Sequence, residues 1–384
     1  MHITTITLGG WYQRTTLHLT EVYDLFARGT SNLPLSRDRL LSYQQHLRLQ
    51  SVTRQFGPFE YILATTHDQI IIHFYEDGLY TLTLKTADIE SGVRLLKDYY
   101  ALAFTPALNF IFSLGAPTPK ILAQIKTHPP LVVSVTSPQP DKLGAKISTL
   151  SPVYSTTSSK SYTVYRTPNY IFVAAKKTVQ NSDSLTENQI FFREFKDQLE
   201  RYLNIHRQIW EEIDAIKEKD TIRGKDIPRL RDKLETIQKT IQLIESRLNQ
   251  MGSYATARAA LAKEQNVEDS LNQLFQYKFQ TLNSTHSYIK ELWRMTQNYS
   301  NSTQSMLTSL QADSTKDSIT SLRLITTYGV IAGIIGYLSR DSWPSITTTG
   351  FLYFCLLIFL TWALNKAISL ASAHWSYKTS SHMR

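Results

Sequence analysis

The sequence predicts an α+β domain with a mixed sheet and helices, followed by long stalk helices and a hairpin of two transmembrane helices. Three observations lead to this fold class. Short strand-like stretches alternate with helical ones in the first half, long helical repeats follow, and two apolar runs lie near the end. The predicted parts are an α/β cytoplasmic domain at 1–180, a stalk at 181–321, a transmembrane hairpin at 322–370 (spans 322–338 and 350–370) and a cytoplasmic tail at 371–384.

The N-terminal 180 residues mix both kinds of element. The run Glu76-Asp77-Gly78 has the composition of a hairpin turn between two strands. Ser- and Thr-rich segments at Ser137–Pro140 and Ser148–Ser161 predict loops. Predicted helices are Leu19–Arg28, Ser36–Leu49, Asp88–Ala103 and Pro119–Lys126. Predicted strands are Ile3–Thr7, Thr15–Leu19, Tyr61–Thr66, Ile70–Tyr75, Leu79–Leu84, Leu131–Val135, Tyr162–Arg166 and Tyr170–Ala174.

Composition and motifs give little sign of catalysis. The 384 residues carry a formal charge of +9, but Lys and Arg mostly alternate with Asp and Glu, so no direct binding of nucleic acid is expected. The single cysteine, Cys355, excludes an internal disulfide. The sequence lacks a phosphate-binding glycine loop and the common hydrolase motifs. We therefore expect no enzyme and assign no catalytic residue.

Three long helices are predicted in the stalk. The first runs from Thr186 to about Lys219. The second has apolar residues at alternating spacings of four and three from Leu230 to Leu248, a coiled-coil seam, and is expected to end near Gly252. The third is expected to start near Thr256 and to continue unbroken into the membrane, as a rod on the order of 100 Å.

The membrane hairpin rests on two apolar runs joined by a short loop. Neither run contains a charged residue in its centre, and backbone groups in lipid must pair internally, so both runs should be helices. Positive residues flank the outer ends of the pair, whereas the loop carries only Arg340. By the positive-inside rule, both termini should be cytoplasmic, in a multi-pass protein of the cell inner membrane.

Two groups of residues are candidates for lining a pore. Small residues at spacings of three and four form one stripe on the first span, which could pack against another helix or line a narrow pore. A second group lies on the preceding polar stretch, where two carboxylates could form acidic rings that bind a cation, or could pair locally with Lys316 on a solvated helix. The candidates are Thr326, Gly329, Gly333 and Gly336 in the first group, and Met306, Leu310, Asp313 and Asp317 in the second; Asp313 and Asp317 are also the candidate metal ligands.

This layout resembles that of the CorA metal-ion transporter superfamily. The segment Ile331–Gly336 is similar to the end of the family's first transmembrane helix, just before its Gly-Met-Asn signature. Gly336 matches the signature, but Tyr337 and Leu338 replace the Met and the Asn. The resemblance implies a homopentameric funnel with the first span around the pore, and Mg²⁺ or another divalent cation as its cargo. Loss of the Asn puts magnesium selectivity in doubt.

The leading hypothesis is a homo-oligomeric, CorA-like channel or transporter that conducts cations and is gated by its cytoplasmic domain. Its expected partners are membrane lipid and other copies of the chain. CorA-like proteins without the signature include effectors of type III CRISPR systems, which implies an alternative: a membrane effector activated by a nucleotide second messenger in antiviral defence. A second alternative is a nonconducting, membrane-anchored scaffold.

Overall fold

The computed structural model describes residues 2–12, 19–112, 131–136, 140–176 and 182–338. Beyond these it describes positions 348, 352, 355–356, 359, 362–363, 366–367 and 376–378. The chain forms two compact units, one of Met1–Ile205 with Leu243–Glu291 and one of His206–Gln242 with Leu292–Arg384. Three long helices contribute residues to both units, so each unit is described by itself.

The first unit is built on a mixed sheet. Nine of the described strands form it, in the order β2-β3-β4-β5-β1-β6-β9-β8-β7. Neighbours are antiparallel except β6 and β9, which are parallel. The strands are β1 (His2–Trp11), β2 (Leu49–Gln55), β3 (Tyr61–Thr66), β4 (Ile71–Tyr75), β5 (Leu79–Leu84), β6 (Leu131–Thr136), β7 (Ser155–Ser158), β8 (Tyr162–Arg166) and β9 (Ile171–Ala175).

Apolar strand residues form the core of this sheet. Ile6 of β1 lies opposite Leu84 of β5 and Val133 of β6, and Ile6 and Val133 are fully buried. The turn between β4 and β5 requires glycine: Gly78 has a φ of +89°, and a Cβ there would lie 1.9 Å from the Tyr12 carbonyl oxygen. The hairpin turn predicted at Glu76-Asp77-Gly78 is therefore confirmed, because only glycine fits the positive φ and the close contact at position 78.

Helices cover the sheet. They are α1 (Leu19–Arg28), α2 (Arg37–His46), α3 (Ile89–Tyr99), α4 (Thr105–Phe112) and α5 (Pro140–Leu150), with a π-helical turn at Tyr100–Phe104 joining α3 to α4. Asp88 caps α3 by accepting a hydrogen bond from the Glu90 backbone N–H at 3.1 Å. The α+β class predicted from sequence is the observed one.

Several predicted boundaries in this unit are wrong. The helix predicted at Ser36–Leu49 ends at His46, because Arg48 takes a left-handed φ of 47° and the next residues join the sheet as β2. The predicted loop Ser148–Ser161 contains the end of α5 and the strand β7. The predicted strand at Thr15–Leu19, apart from Leu19, and the predicted helix Pro119–Lys126 lie outside the described residues, as does most of the loop Ser137–Pro140.

The long helices are α6 (Ser182–Lys217), α7 (Ile227–Glu264) and α9 (Phe279–Leu338), and the short helix α8 (Glu268–Phe275) lies between α7 and α9 in the chain. The prediction that a helix ends near Gly252 is wrong, since α7 continues through it. The last helix starts at Phe279 instead of Thr256. Asn266 and Gln276 have a left-handed backbone conformation, which interrupts the helical path before and after α8. The continuation of the last helix without a break to Leu338 is confirmed. Its 60 residues give a rod of about 90 Å.

The second unit also contains a small two-stranded sheet. Between α6 and α7 lie β10 (Thr221–Arg223) and a 3₁₀ turn at Gly224–Asp226. The strand β10 pairs antiparallel with β11 (Ser376–Lys378), close to the end of the chain. Among the described residues, no helix combines enough length and apolar character to span a membrane. Most of the predicted span 350–370 lies outside the described residues.

Candidate functional sites

In the second unit, α9 packs against the end of α6 and the start of α7. The Tyr299 ring stacks on Trp210 with centroids 4.5 Å apart, and its hydroxyl donates to Asp214 Oδ1 at 2.8 Å. On the other side, Gln238 Nε2 donates to Asn301 Oδ1 at 3.3 Å, and Arg231 donates to Gln311. Aromatic and polar contacts thus fix this stretch of α9 inside its own chain.

Small hydroxyl side chains make this packing possible. Thr296, Ser300 and Thr303 are fully buried. The two threonine hydroxyls donate to backbone carbonyls one turn earlier, Thr296 to Leu292 and Thr303 to Tyr299, each at 2.9 Å. A helix that is polar in sequence can therefore be a core helix where its threonine hydroxyls bond within the helix itself. From the sequence, this polar stretch is interpreted as a pore-lining or a solvated helix, and neither interpretation includes these bonds.

The predicted pore residues lie in two different environments. Met306 and Leu310 are buried within one chain, which argues against their predicted place at a water-filled axis. Asp313 is half-buried, while Thr326, Gly329 and Gly333 are exposed. A Cβ on Gly329 or Gly333 would meet no atom of the described residues within 4 Å. Asp317 and Gly336 belong to α9, but their surroundings lie outside the described residues. The structure therefore separates the candidates into a packed group and an open one.

Large apolar side chains are also exposed on the last part of α9. They include Ile319, Leu322, Val330 and Ile331, each about half exposed. The described positions of the later segment show the same property at Leu352, Leu356, Phe359 and Trp362. The Lys366 ammonium lies 5.5 Å from the centre of the Trp362 ring. Contiguous exposed apolar side chains of this kind mark a surface that another protein or a lipid covers.

Asp313 and Asp317 are the predicted metal ligands, and the surroundings of Asp317 lie outside the described residues. In the part of the chain that the structure describes, no group of three or more His, Cys, Asp or Glu side chains is placed to hold a metal ion. A ring of carboxylates around a symmetry axis would take one ligand from each copy. The structure of a single chain therefore cannot contain such a ring.

The first unit contains a buried ion pair. Arg258 of α7 donates from Nε and Nη2 to the two carboxylate oxygens of Asp77 at 2.7 and 2.9 Å, and both side chains are fully buried. The guanidinium lies over the rings of Phe59 and Tyr75, at 4.5 and 4.6 Å from their centres. Burial by itself would lower the pKa of Arg258, but the adjacent Asp77 outweighs it and raises that pKa. The pair ties α7 to the β4–β5 turn, so its role is structural.

A second polar group lies beside this ion pair. The Tyr75 hydroxyl donates to Glu187 Oε1 at 2.7 Å, and His73 Nδ1 lies 3.6 Å from the same oxygen. Burial raises the pKa of Glu187, although His73 and Tyr75 oppose that shift. His73 of β4 thus has a carboxylate neighbour.

The first unit also contains an open cleft of about 710 Å³. Its apolar floor includes Leu8 and Leu131 from adjacent strands. Its polar rim brings together residues that are far apart in the sequence: Lys97, Tyr100, Tyr154, Asn169, Tyr170 and Arg193. The β8–β9 turn is held by Thr167, whose hydroxyl accepts from the Tyr170 N–H at 3.0 Å and donates to the Tyr170 carbonyl at 3.1 Å.

The cleft is suited to an anion. Lys97 and Arg193 are its charged lining residues, so the lining carries positive charge. Glu194 follows Arg193 in α6, and burial, followed by the nearby Asp197, raises the pKa of Glu194 to about 7. At neutral pH this carboxyl is therefore about half ionised, and it offsets less of the positive charge than an ordinary glutamate would. Tyr100, Tyr154 and Tyr170 provide rings on which a planar group can stack.

Sequence reasoning missed this cleft because no local motif encodes it. Its residues come from β1, β6, α3, the following π-helical turn, the α5–β7 connection, the β8–β9 turn and α6, and only the sheet brings them together. No known protein family matches the chain, and no curated protein is significantly similar to it.

Proposed function

We propose that this protein is a homo-oligomeric, CorA-like membrane channel or transporter that conducts cations and is gated by its cytoplasmic domain. The observation that carries the proposal is the continuity of α9. One helix runs from a stretch packed in its own chain at Thr296–Leu310 to a stretch of small and apolar residues that ends at Leu338. The described side chains of that second stretch, from Ile319 to Gly333, are mostly exposed. A helix of this kind joins a cytoplasmic body to a membrane span.

The exposed part of α9 supports assembly around an axis. Ile319, Leu322, Val330 and Ile331 need lipid or another copy to cover them, because exposed apolar area is costly in water. The open space around Gly329 and Gly333 would let neighbouring copies approach closely. In this arrangement the stripe of Thr326, Gly329, Gly333 and Gly336 faces the pore. Both termini lie on the cytoplasmic side of the cell inner membrane.

Asp313 and Asp317 are proposed to act at the cytoplasmic end of the pore. Two carboxylates per copy would give acidic rings that concentrate cations, with Mg²⁺ or another divalent cation as the proposed cargo. Met306 and Leu310 have no place in this proposal, because they are buried in their own chain. Arg323 is exposed and would repel cations if it faced the axis, so it is placed toward lipid head groups.

Flux through liposomes containing the purified full chain tests the proposal. Gly333→Phe should abolish cation flux, because a ring would fill the space that is now open. Ile331→Phe is the matched control: it lies about 160° away on the helix and should leave flux nearly unchanged. A wild-type chain that passes no ion under any condition would favour the nonconducting scaffold instead. If both substitutions lower the flux equally, the proposal that the stripe lines the pore is wrong.

The acidic rings have their own test. Neutralising Asp313 and Asp317 together should lower cation flux and reduce the preference for cations over anions. Neutralising Asp232 and Glu235 on the exposed face of α7 is the control, because it removes the same charge from the same unit. Unchanged flux and selectivity in the Asp313/Asp317 variant would leave these two acids as surface residues. A mass measurement in detergent should give five copies.

The cleft favours a second candidate function. A positively charged cleft with stacking rings fits a nucleotide, so the chain can also be proposed as a CRISPR-associated effector whose channel a nucleotide second messenger opens. Arg193→Gln should then weaken nucleotide binding and raise the concentration needed for flux. Arg94→Gln, an exposed α3 residue outside the lining, should change neither. If flux does not depend on any nucleotide, the proposal of a nucleotide-activated effector is wrong, and the proposal of a cation channel stands.

A further inference from the structure

The C-terminal strand β11 pairs with β10, which lies in the chain between α6 and α7. The register sets Thr221 opposite Lys378, Ile222 opposite Tyr377 and Arg223 opposite Ser376. Ile222 is buried and Tyr377 is half-buried, so this pairing has an inner face as well as backbone hydrogen bonds. The outer face carries Arg223 and Ser376, which are both exposed.

The strand β10 belongs to the connection between α6 and α7. Two contacts locate this connection along α9: Lys217 Nζ donates to Ser302 Oγ at 3.4 Å, and Arg231 donates to Gln311. From Gln311, α9 continues for on the order of 40 Å to Leu338. A chain that leaves α9 at Leu338 must therefore return over a comparable distance before Ser376 can pair with β10.

We propose that β11 is a strap that fastens the end of the second predicted span to the α6–α7 connection. The proposal rests on the proposed channel function, because it assigns the strap to gating. The strap holds the second span in the resting position of the stalk and opens when the channel opens. Its length suits this role, since two three-residue strands are only marginally stable and can separate at low cost.

The strap also explains why the second span has to be released. A displacement of the stalk reaches the first span directly, because that span is continuous with α9. The second span is held at the α6–α7 connection through β11, so it can follow only after β11 separates from β10.

A cysteine cross-link in the full chain tests the strap. With Cys355 replaced by alanine, Arg223→Cys and Ser376→Cys introduce one pair at two exposed positions that face each other in the register. Directly opposed antiparallel residues lie within the Cα distance that a disulfide requires. Gln208→Cys with Ser376→Cys is the control pair, because Gln208 lies about 14 Å further back along α6 from Lys217.

We expect the opposed pair to cross-link at least about ten times faster than the control pair under mild oxidation in proteoliposomes. The cross-link should abolish stimulated flux, and a reductant should restore it. Equal rates for the two pairs would overturn the strap itself. A rapid cross-link with unchanged flux would overturn its role in gating. If the uncross-linked chain passes no ion, the channel function and the gating role both fail, while the cross-linking rate still decides whether β11 pairs with β10.

Discussion

Replacing Asp77 with asparagine should destabilise the first unit strongly, although it changes only one atom of the side chain. The new amide oxygen can still accept the hydrogen bond that the Leu79 N–H makes with Asp77 Oδ1 at 3.0 Å, so the β4–β5 turn is kept. What is lost is the negative charge opposite a fully buried guanidinium. An arginine left uncompensated in such a place costs about 3–5 kcal/mol.

This cost is large against the stability of a domain, which is about 5–15 kcal/mol in total. We expect the lower end of the range, because the introduced amide can keep one neutral hydrogen bond to Arg258 and the rings of Phe59 and Tyr75 still cover the cation. Thermal unfolding of the full chain in detergent, followed by fluorescence, should show a midpoint lowered by roughly 6–15 °C.

Two further variants make the result interpretable. Asp24→Asn removes one partner of an exposed ion pair in the same unit, Asp24 with Arg28 at 3.4 Å, and should cost at most about 0.5 kcal/mol. Asp77→Asn combined with Arg258→Met removes both charges and should recover at least about 2 kcal/mol relative to the sum of the single variants. If Asp77→Asn is no worse than Asp24→Asn, or if the double variant shows no recovery, the reasoning from the buried pair is refuted.

Three other predictions follow from single contacts. Burial raises the pKa of Glu194 to about 7, so its ionisation lowers the stability of the fold as the pH rises from about 4.5 to 7. Glu194→Gln should therefore raise the free energy of unfolding by up to about 3 kcal/mol at pH 8. In a pH series of unfolding midpoints, this gain should vanish toward pH 4.5. Tyr299→Phe should cost about 1 kcal/mol through its bond to Asp214, whereas the exposed Tyr288→Phe should cost nothing measurable in the same melts. Gly252→Ala should lower the stability by about 1 kcal/mol in spite of its better helix propensity, because the new Cβ would lie 2.9 Å from His286 Cε1; a raised midpoint would contradict this.

The sequence was most informative where one local rule decides an element. Tyr61–Thr66, Leu79–Leu84 and Tyr162–Arg166 have the predicted bounds, because apolar and β-branched residues at strand spacing suffice to define them. The strands β2 and β7 were missed. Their polar sequences give no alternation signal, and only pairing with β3 and β8 makes them strands.

Helix ends depended on packing that the sequence does not display. Gly252 predicts a helix end, but the His286 ring fills the space beside it, so the glycine allows close approach within a continuing helix. Likewise, the polar stretch around Thr303 predicts a solvated helix or a water-filled axis. It packs instead, since the hydroxyls of Thr296 and Thr303 bond to carbonyls of their own helix.

By itself, the sequence determined the α+β class of the first half, the long helices and the unbroken entry of the last one into an apolar stretch. These features follow from local periodicity, which each segment carries alone. Only the tertiary structure decided that Met306 and Leu310 are buried, that a cationic cleft forms from elements far apart in the chain, and that the C-terminal strand returns to the α6–α7 connection. Such features depend on which distant segments meet, and periodicity along the chain carries no information on that.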